Sequence, residues 1–122
     1  MPFTTESAVF QGLPVLRLHG EFDSVVCGEV EARLLAEADS PVAALIVDML
    51  DVPYMESRPL AMLTKVDGLL SRRGMRMAIV CSQDDLRRIF HIAGLDRKLT
   101  ICADLLTAAG LLAPPDGVAN QG

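Results

Sequence analysis

The stretch AALIVDMLDVPYMESRPLAML, residues Ala43–Leu63, decides the fold class of this chain. It begins with an unbroken apolar run that ends in Asp48, a pattern typical of a buried strand that surfaces at its carboxyl end. A short turn (DVPY) follows, and residues 55–59 (MESRP) open a helix. Open α/β sheets place their functional groups between the end of a strand and the start of the next helix. Ser57, which puts a hydroxyl at this junction, is therefore the first candidate functional residue.

Apolar periodicity on both sides of this stretch predicts the element order ββαβαβαβα. The first two strands are expected to form a hairpin, with Val9 as the inward-facing residue of the first strand. Strands are predicted over 7–11, 14–19, 43–47, 75–81 and 99–102, and helices over about 25–38, 59–73, 84–93 and 103–112. Such alternation predicts an α/β domain with a mixed, mostly parallel sheet, an antiparallel edge strand and about four helices.

Turn and cap residues set the expected ends of these elements. Asp23 or Ser24 is the expected cap of the first helix, and residues 82–85 (SQDD) resemble a capping box before the third. The domain is expected to cover residues 1–112. Residues 113–122, which contain two prolines and an Asp-Gly pair, are expected to form a flexible tail.

Composition excludes several classes of function. The 122 residues carry a net charge of −5 and only 4% aromatic side chains, which disfavours direct binding of nucleic acid. No apolar run is long enough to span a membrane and no signal peptide is present, so we expect a cytoplasmic protein. The three cysteines form no CxxC pair, and we expect buried, reduced thiols.

Evidence for an enzyme or a metal site is weak. His19 and His91 lie at a strand end and on an apolar helix, where histidine is usually structural or exposed. No metal-ligand spacing, nucleophile elbow or phosphate-binding glycine loop is present. We therefore expect no catalytic residue, no metal and no cofactor.

Several segments, in order along the chain, resemble the motifs of one known family. They are VLRL at 15–18 with GEFD at 20–23, ALIVD at 44–48, MES at 55–57, Gly74 with MAIV at 77–80, and RIFHIAGLD at 88–96. Together they resemble a STAS domain of the anti-sigma-factor antagonist type. The family has a G-E-hydrophobic-D turn, a hydrophobic-Asp-Ser motif and a helix that ends in A/S-G-L.

The resemblance implies a protein-binding switch. Such domains bind an anti-sigma factor that is also a serine kinase, and binding releases the sigma factor. Phosphorylation of the serine after the acidic residue ends the binding, and a phosphatase restores it. That serine corresponds to Ser57 here. The implied partner-binding residues are Asp23, Glu56, Ser57, Arg58, Pro59 and Met62.

The chain departs from the family at this motif. The usual Asp-Ser-Ser/Thr-Gly is replaced by Glu56-Ser57-Arg58-Pro59. Pro59 removes one N–H donor and is expected to start the helix late, which would leave Ser57 just outside it. Two alternatives remain open: a STAS scaffold without phosphorylation, in which Ser57 is only a helix cap, and a module that senses a small molecule or nucleotide at the strand ends.

Overall fold

The elements follow one another in the predicted order within residues 2–113, which are the residues that the computed structural model describes. They are β1 (Thr4–Phe10), β2 (Leu13–His19), α1 (Cys27–Glu37), β3 (Ala44–Asp51), α2 (Ser57–Arg72), β4 (Arg76–Val80), α3 (Asp84–Ile92), a 3-10 turn (Leu95–Arg97), β5 (Thr100–Cys102) and α4 (Leu105–Leu112). The predicted tail lies outside the described residues except for Ala113, and the domain boundary at residue 112 stays a prediction.

The sheet has the order β1-β2-β3-β4-β5. β1 pairs antiparallel with β2, and the other neighbours pair in parallel. A two-residue turn joins β1 to β2, and both of its residues have positive φ, 52° at Gln11 and 79° at Gly12. This is the type I′ turn, whose twist matches that of a hairpin. The predicted mixed α/β sheet with an antiparallel edge strand is confirmed.

Two apolar clusters cover the two faces of the sheet. The larger lies under α1, α2 and α3 and includes Leu16 and Leu18 of β2. The smaller lies under α4 and includes Val15, with Ala8 and Phe10 of β1 packed against it. None of the helices within residues 2–113 is long and apolar enough to cross a bilayer.

The prediction that Val9 points inward is wrong. The Val9 side chain is 73% exposed. The tight turn pairs Phe10 with Leu13 and Ala8 with Val15, which puts Phe10 and Ala8 on the α4 side of the sheet. Since neighbouring residues of a strand face opposite ways, Val9 falls on the other face, near the end of the edge strand.

The three cysteines are free and buried, as predicted. Cys81 and Cys102 lie on neighbouring chain segments, where the Cys81 N–H donates to the Cys102 carbonyl oxygen at 2.8 Å. Burial raises the pKa of all three thiols, because an apolar surrounding disfavours the thiolate. All three thiols are therefore poor nucleophiles.

Candidate functional site

Two loops are joined side by side at the carboxyl ends of β2 and β3. They are the β2–α1 loop (residues 20–26) and the β3–α2 loop (residues 52–56). The Phe22 N–H donates to the Tyr54 carbonyl oxygen at 2.9 Å, and the Glu56 N–H donates to the Phe22 carbonyl oxygen at 3.0 Å. These bonds form a short parallel ladder, so the start of α2 is held in register with the turn before α1.

Buried side chains attach this ladder to the hydrophobic core. Phe22 and Met55 form an isolated parallel bridge, and both side chains are in the larger core cluster. The Phe22 ring stacks on Phe3 with 5.7 Å between ring centroids. The Gly20 N–H also donates to the Asp51 carbonyl oxygen, at 3.2 Å. The loops are therefore part of the packed structure, although they form the surface of this end of the sheet.

Glu56 ties the two loops together through its side chain. Its carboxylate accepts hydrogen bonds from the Ser24 backbone N–H and from the Ser24 hydroxyl, both at 2.8 Å. Asp23 stabilises the adjoining turn, where its Oδ1 accepts from the N–H groups of Val25 at 3.0 Å and Val26 at 3.3 Å. The prediction that Asp23 or Ser24 caps α1 is wrong: the N-cap residue is Val26 and no side chain caps the helix, so Asp23 stabilises the turn before it.

Ser57 is the first residue of α2, and it is exposed. The expectation that Pro59 would delay the helix and leave Ser57 outside it is wrong. The first N–H groups of a helix have no intrahelical acceptor, so Pro59 at the third position breaks no intrahelical bond. Glu56 is the N-cap residue, with extended backbone angles (φ −87°, ψ 175°), and no side chain caps the helix.

Arg58, beside Ser57, is also exposed and forms no ion pair with another residue in the described range. Its positive charge acts on the Cys27 thiol at the start of α1, where it opposes the rise in pKa caused by burial.

The six residues predicted to bind a partner differ in accessibility. Ser57 and Arg58 are exposed, while Asp23 and Glu56 are half-buried. Pro59 and Met62 are buried below them, so they can support the surface but offer little area to a partner. Their roles as partner contacts stay predictions.

The sequence predicted that β3 reaches the surface at Asp48, and this prediction is wrong. β3 continues to Asp51, and Asp48 is only 7% exposed. Arg17 of β2 pairs with it, with 3.3 Å between Nε and Oδ2, and the Leu50 N–H donates to Oδ1 at 3.0 Å. A buried carboxylate needs such partners, and Arg17 of the neighbouring strand supplies the charge that makes burial tolerable.

Gln83 is a structural residue of this site that sequence analysis missed. Its Nε2 lies within hydrogen-bonding distance of three carbonyl oxygens, those of Met49 (2.8 Å), Leu50 (3.1 Å) and Val52 (2.6 Å). Its Oε1 accepts from the Ser82 N–H at 3.0 Å. The capping box predicted at 82–85 is wrong, because no side chain caps α3. The sequence signal that could have identified Gln83 was an amide residue shortly after a buried strand. The end of that strand lies at the same edge of the sheet as the β3–α2 loop.

A groove of about 660 Å³ opens beside the joined loops. His19 lies on its wall, with its Nδ1 3.0 Å from Asp51 Oδ2 and its Nε2 3.4 Å from Glu6 Oε1. The lining residues are His19, Gly20, Glu21, Leu50, Asp51, Val52, Pro53 and Gln83. No group of His, Cys, Asp and Glu side chains among residues 2–113 has the arrangement of a metal site.

Comparisons with known proteins show which proteins share this fold. An anti-sigma factor antagonist from Mycobacterium paratuberculosis is 28% identical and has a TM-score of 0.81, with 91% of this chain and 94% of that chain covered. A Thermotoga maritima protein is 16% identical, with a TM-score of 0.80 and coverage of 88% and 93%. The Bacillus cell fate determinant SpoIIAA in its phosphorylated form is 19% identical, with a TM-score of 0.66 and coverage of 92% and 100%.

The last two likenesses concern the fold alone. No curated protein matches the chain. The family model for the STAS domain matches residues 5–108, which is most of the sequence. The chain belongs to the STAS domain family.

Proposed function

We propose that this STAS domain is a non-enzymatic anti-sigma-factor antagonist controlled by phosphorylation of Ser57. It binds an anti-sigma factor that is also a serine kinase, and binding releases the sigma factor. Phosphorylation of Ser57 ends the binding, and a phosphatase restores it. The observation that carries the proposal is the exposed Ser57 hydroxyl, at a helix start without a side-chain cap and beside two loops held together by Glu56.

The surroundings of Ser57 explain how a phosphate acts. A phosphoserine adds about −1.5 to −2 charges at neutral pH. Glu21, Asp23 and Glu56 on the joined loops already make this surface acidic. A partner that fits the unmodified surface closely would meet a doubly charged group where it had met a small hydroxyl. Desolvation of that group and its repulsion from any acidic partner residue both weaken the complex.

Arg58 and Pro59 change how a phosphate on Ser57 would be stabilised, but they leave the Ser57 hydroxyl in place. A helix start attracts a phosphate through its free N–H groups and the helix dipole. Pro59 removes one of these donors, while the exposed Arg58 guanidinium supplies a cation that can pair with the phosphate. The proposed phosphoserine is therefore stabilised more by a side chain, and less by backbone donors, than one followed by small residues.

Phosphorylation and binding assays with the candidate kinases test the proposal. The purified chain is mixed with ATP and each anti-sigma kinase of the source organism, Ser57 is examined by mass spectrometry, and affinities are measured by calorimetry. Ser57→Ala should bind like the wild type and resist inactivation. Ser57→Asp should bind about 10- to 20-fold more weakly, since one unit charge about 10 Å from a like charge costs about 1.7 kcal/mol at an effective dielectric constant of 20.

Ser71→Asp is the matched control, because it makes the same change on the same helix, at an exposed position near the other end. It should leave the affinity unchanged. Equal affinities for the wild type, Ser57→Ala and Ser57→Asp would refute the switch. Arg58→Ala should enlarge the Ser57→Asp defect if the guanidinium pairs with the added charge, and should speed phosphorylation if it obstructs the kinase.

The groove supports one second candidate, a small-molecule sensor. Its volume of about 660 Å³ lies in the range of ligand pockets. Its carboxylates, Glu21 and Asp51, disfavour phosphates and favour a cationic or neutral ligand. Chemical shifts of the Gly20 and Leu50 amides, followed during a screen of small amines, test this candidate; shifts that do not change would remove it. The scaffold alternative is less favoured, because the N-cap residue is Glu56 and not Ser57.

A further inference from the structure

β1 is the outermost strand of the sheet, and its outer edge pairs with no other strand among residues 2–113. Exposed edge strands are usually blocked by proline, lysine, a bulge or a short length. β1 has none of these features: it is seven residues long, TTESAVF, and its register with β2 is continuous from Thr4 to Phe10. Glu6 is its only charged residue. At the other edge of the sheet, β5 has only three residues.

The type I′ turn determines which backbone groups of β1 point outward. The pair that flanks such a two-residue turn, here Phe10 and Leu13, is a hydrogen-bonded pair. Hydrogen-bonded residues alternate along an antiparallel strand, so every second residue back from Phe10 bonds to β2. The residues between them, Thr5, Ser7 and Val9, direct their N–H and C=O groups to the free edge.

We propose that β1 pairs with β1 of a second copy of this chain, antiparallel and centred on Ser7. In this register Ser7 lies opposite Ser7 of the other copy, and Thr5 lies opposite Val9. Every outward N–H and C=O of these three residues then finds a partner, which gives about six intermolecular hydrogen bonds. The two five-stranded sheets become one continuous sheet with a two-fold axis, the commonest symmetry of protein dimers.

The position of Glu6 favours this register over its neighbours. With Ser7 on the axis, Glu6 lies opposite Ala8 of the other copy. A shift of two residues that puts Glu6 on the axis would place the two carboxylates directly opposite each other, which is unfavourable. A shift of two residues the other way puts Ala8 on the axis and leaves Thr5 without a partner. The central register therefore satisfies the most donors and does not place the two Glu6 carboxylates opposite each other.

Side chains on the α1 side of the sheet support the same arrangement. Arg33 of α1 donates to the Thr5 hydroxyl at 3.0 Å and to the Ser7 hydroxyl at 2.8 Å, and the Ser7 hydroxyl also bonds to Glu37. A two-fold axis through Ser7 would bring Arg33 and Glu37 of both copies close together. Because their charges are opposite, the two α1 helices can form ion pairs across the axis.

The dimer does not depend on the proposed function of Ser57. Ser57 begins α2, which packs against β4 and α1 and does not belong to the paired edge. Each copy would keep its Ser57 surface accessible, so that one dimer presents two such surfaces.

The oligomeric state of the full chain tests the dimer. Sedimentation equilibrium from about 1 μM to about 1 mM covers weak association, and we expect the dimer fraction to rise across this range. Ser7→Pro should be monomeric throughout, because it removes an outward N–H that β2 does not use. Ser7→Ala is the matched control: it loses the hydroxyl contacts, keeps the N–H and should still dimerise. A wild type that is monomeric at every concentration, or a dimer that survives Ser7→Pro, would overturn the proposal.

Cross-linking keeps the test valid if Ser7→Pro fails to fold. Ser7→Cys places two thiols on the axis, at a Cα separation of about 5.5 Å, within the range that a disulfide spans. Mild oxidation should give a covalent dimer. Two control variants should stay monomeric. In Thr5→Cys the new thiol lies opposite Val9 and far from the same thiol of the other copy, and in Thr107→Cys it is exposed on α4. The three native thiols are buried and do not compete. Equal cross-linking of all three variants would refute the register.

Discussion

The starts of α4 and α2 resolve the same structural problem in different ways. At α4, Asp104 is the N-cap residue and its Oδ1 accepts from the Thr107 N–H at 2.8 Å. At α2, the N-cap residue is also acidic, but the Glu56 carboxylate turns away from its helix and bonds to Ser24. The N-cap side chain of α4 therefore bonds to its own helix, while the N-cap side chain of α2 bonds to the neighbouring β2–α1 loop.

This difference separates two uses of an acidic residue before a helix. A cap satisfies free N–H groups and stabilises the helix that follows it. Glu56 stabilises the contact between two loops, and the first turn of α2 is left without a side-chain acceptor. That open turn carries the exposed Ser57 and Arg58. Removing each acid should therefore damage a different part of the molecule.

The largest effect is expected for Glu56→Ala. It removes both hydrogen bonds to Ser24 and leaves a half-buried N–H without its acceptor, which should lower the free energy of unfolding by about 1–3 kcal/mol. Ser24→Ala should lower the free energy of unfolding by less, because the backbone N–H of residue 24 still donates to the Glu56 carboxylate. Urea denaturation of both variants and of the double variant measures the coupling. Strictly additive losses would show that the two residues do not act as a pair.

An intermediate effect is expected for Asp104→Ala, compared with Ser57→Ala. Loss of the α4 cap should lower the melting temperature and speed amide exchange in the first turn of α4. Ser57→Ala should change the free energy of unfolding by no more than about 0.5 kcal/mol, because Ser57 is exposed and does not occupy the cap position of α2. Calorimetry and hydrogen exchange compare the two. A larger loss for Ser57→Ala would mean that Ser57 is a helix cap after all.

The smallest effect is a pH dependence confined to α4. Hydrogen bonds from the Thr107 backbone N–H and side chain lower the pKa of the Asp104 carboxyl from its ordinary 3.8. A carboxylate whose pKa is lowered by folding stabilises the protein above 3.8, and this contribution is lost as the pH falls through the folded-state pKa. The difference in melting temperature between the wild type and Asp104→Ala should therefore shrink on acidification. A difference that stays constant with pH would contradict this account.

Much of the fold could be predicted because its signals are local. Apolar runs and their spacing predicted the order of strands and helices, and the hairpin was predicted from two short strands joined through Gly12. The facing of Val9 could not be predicted in this way. It depends on the register that the Gln11-Gly12 turn imposes, and a change of one residue reverses every side chain of the strand.

Only those features of the candidate site that depend on residues close in sequence were predicted. The position of Ser57 at the start of a helix follows from the strand, turn and helix around it. The partners of Asp48, Glu56 and Gln83 lie about 30 residues away along the chain, or in another strand. A single sequence does not reveal such pairings, because a surface carboxylate and a paired one look the same in it.

The contacts of the Gln83 amide nitrogen have a consequence for the order in which this surface forms. The carbonyl oxygens of Met49, Leu50 and Val52 precede their common donor by 34, 33 and 31 residues. During synthesis the Ser57 segment therefore leaves the ribosome well before the side chain that fixes the loop in front of it. A fragment that ends before Gln83 lacks this donor, and its three carbonyl groups must turn to water. The loop in front of Ser57 can therefore gain these contacts only after β4 has joined the sheet and Gln83 has followed it.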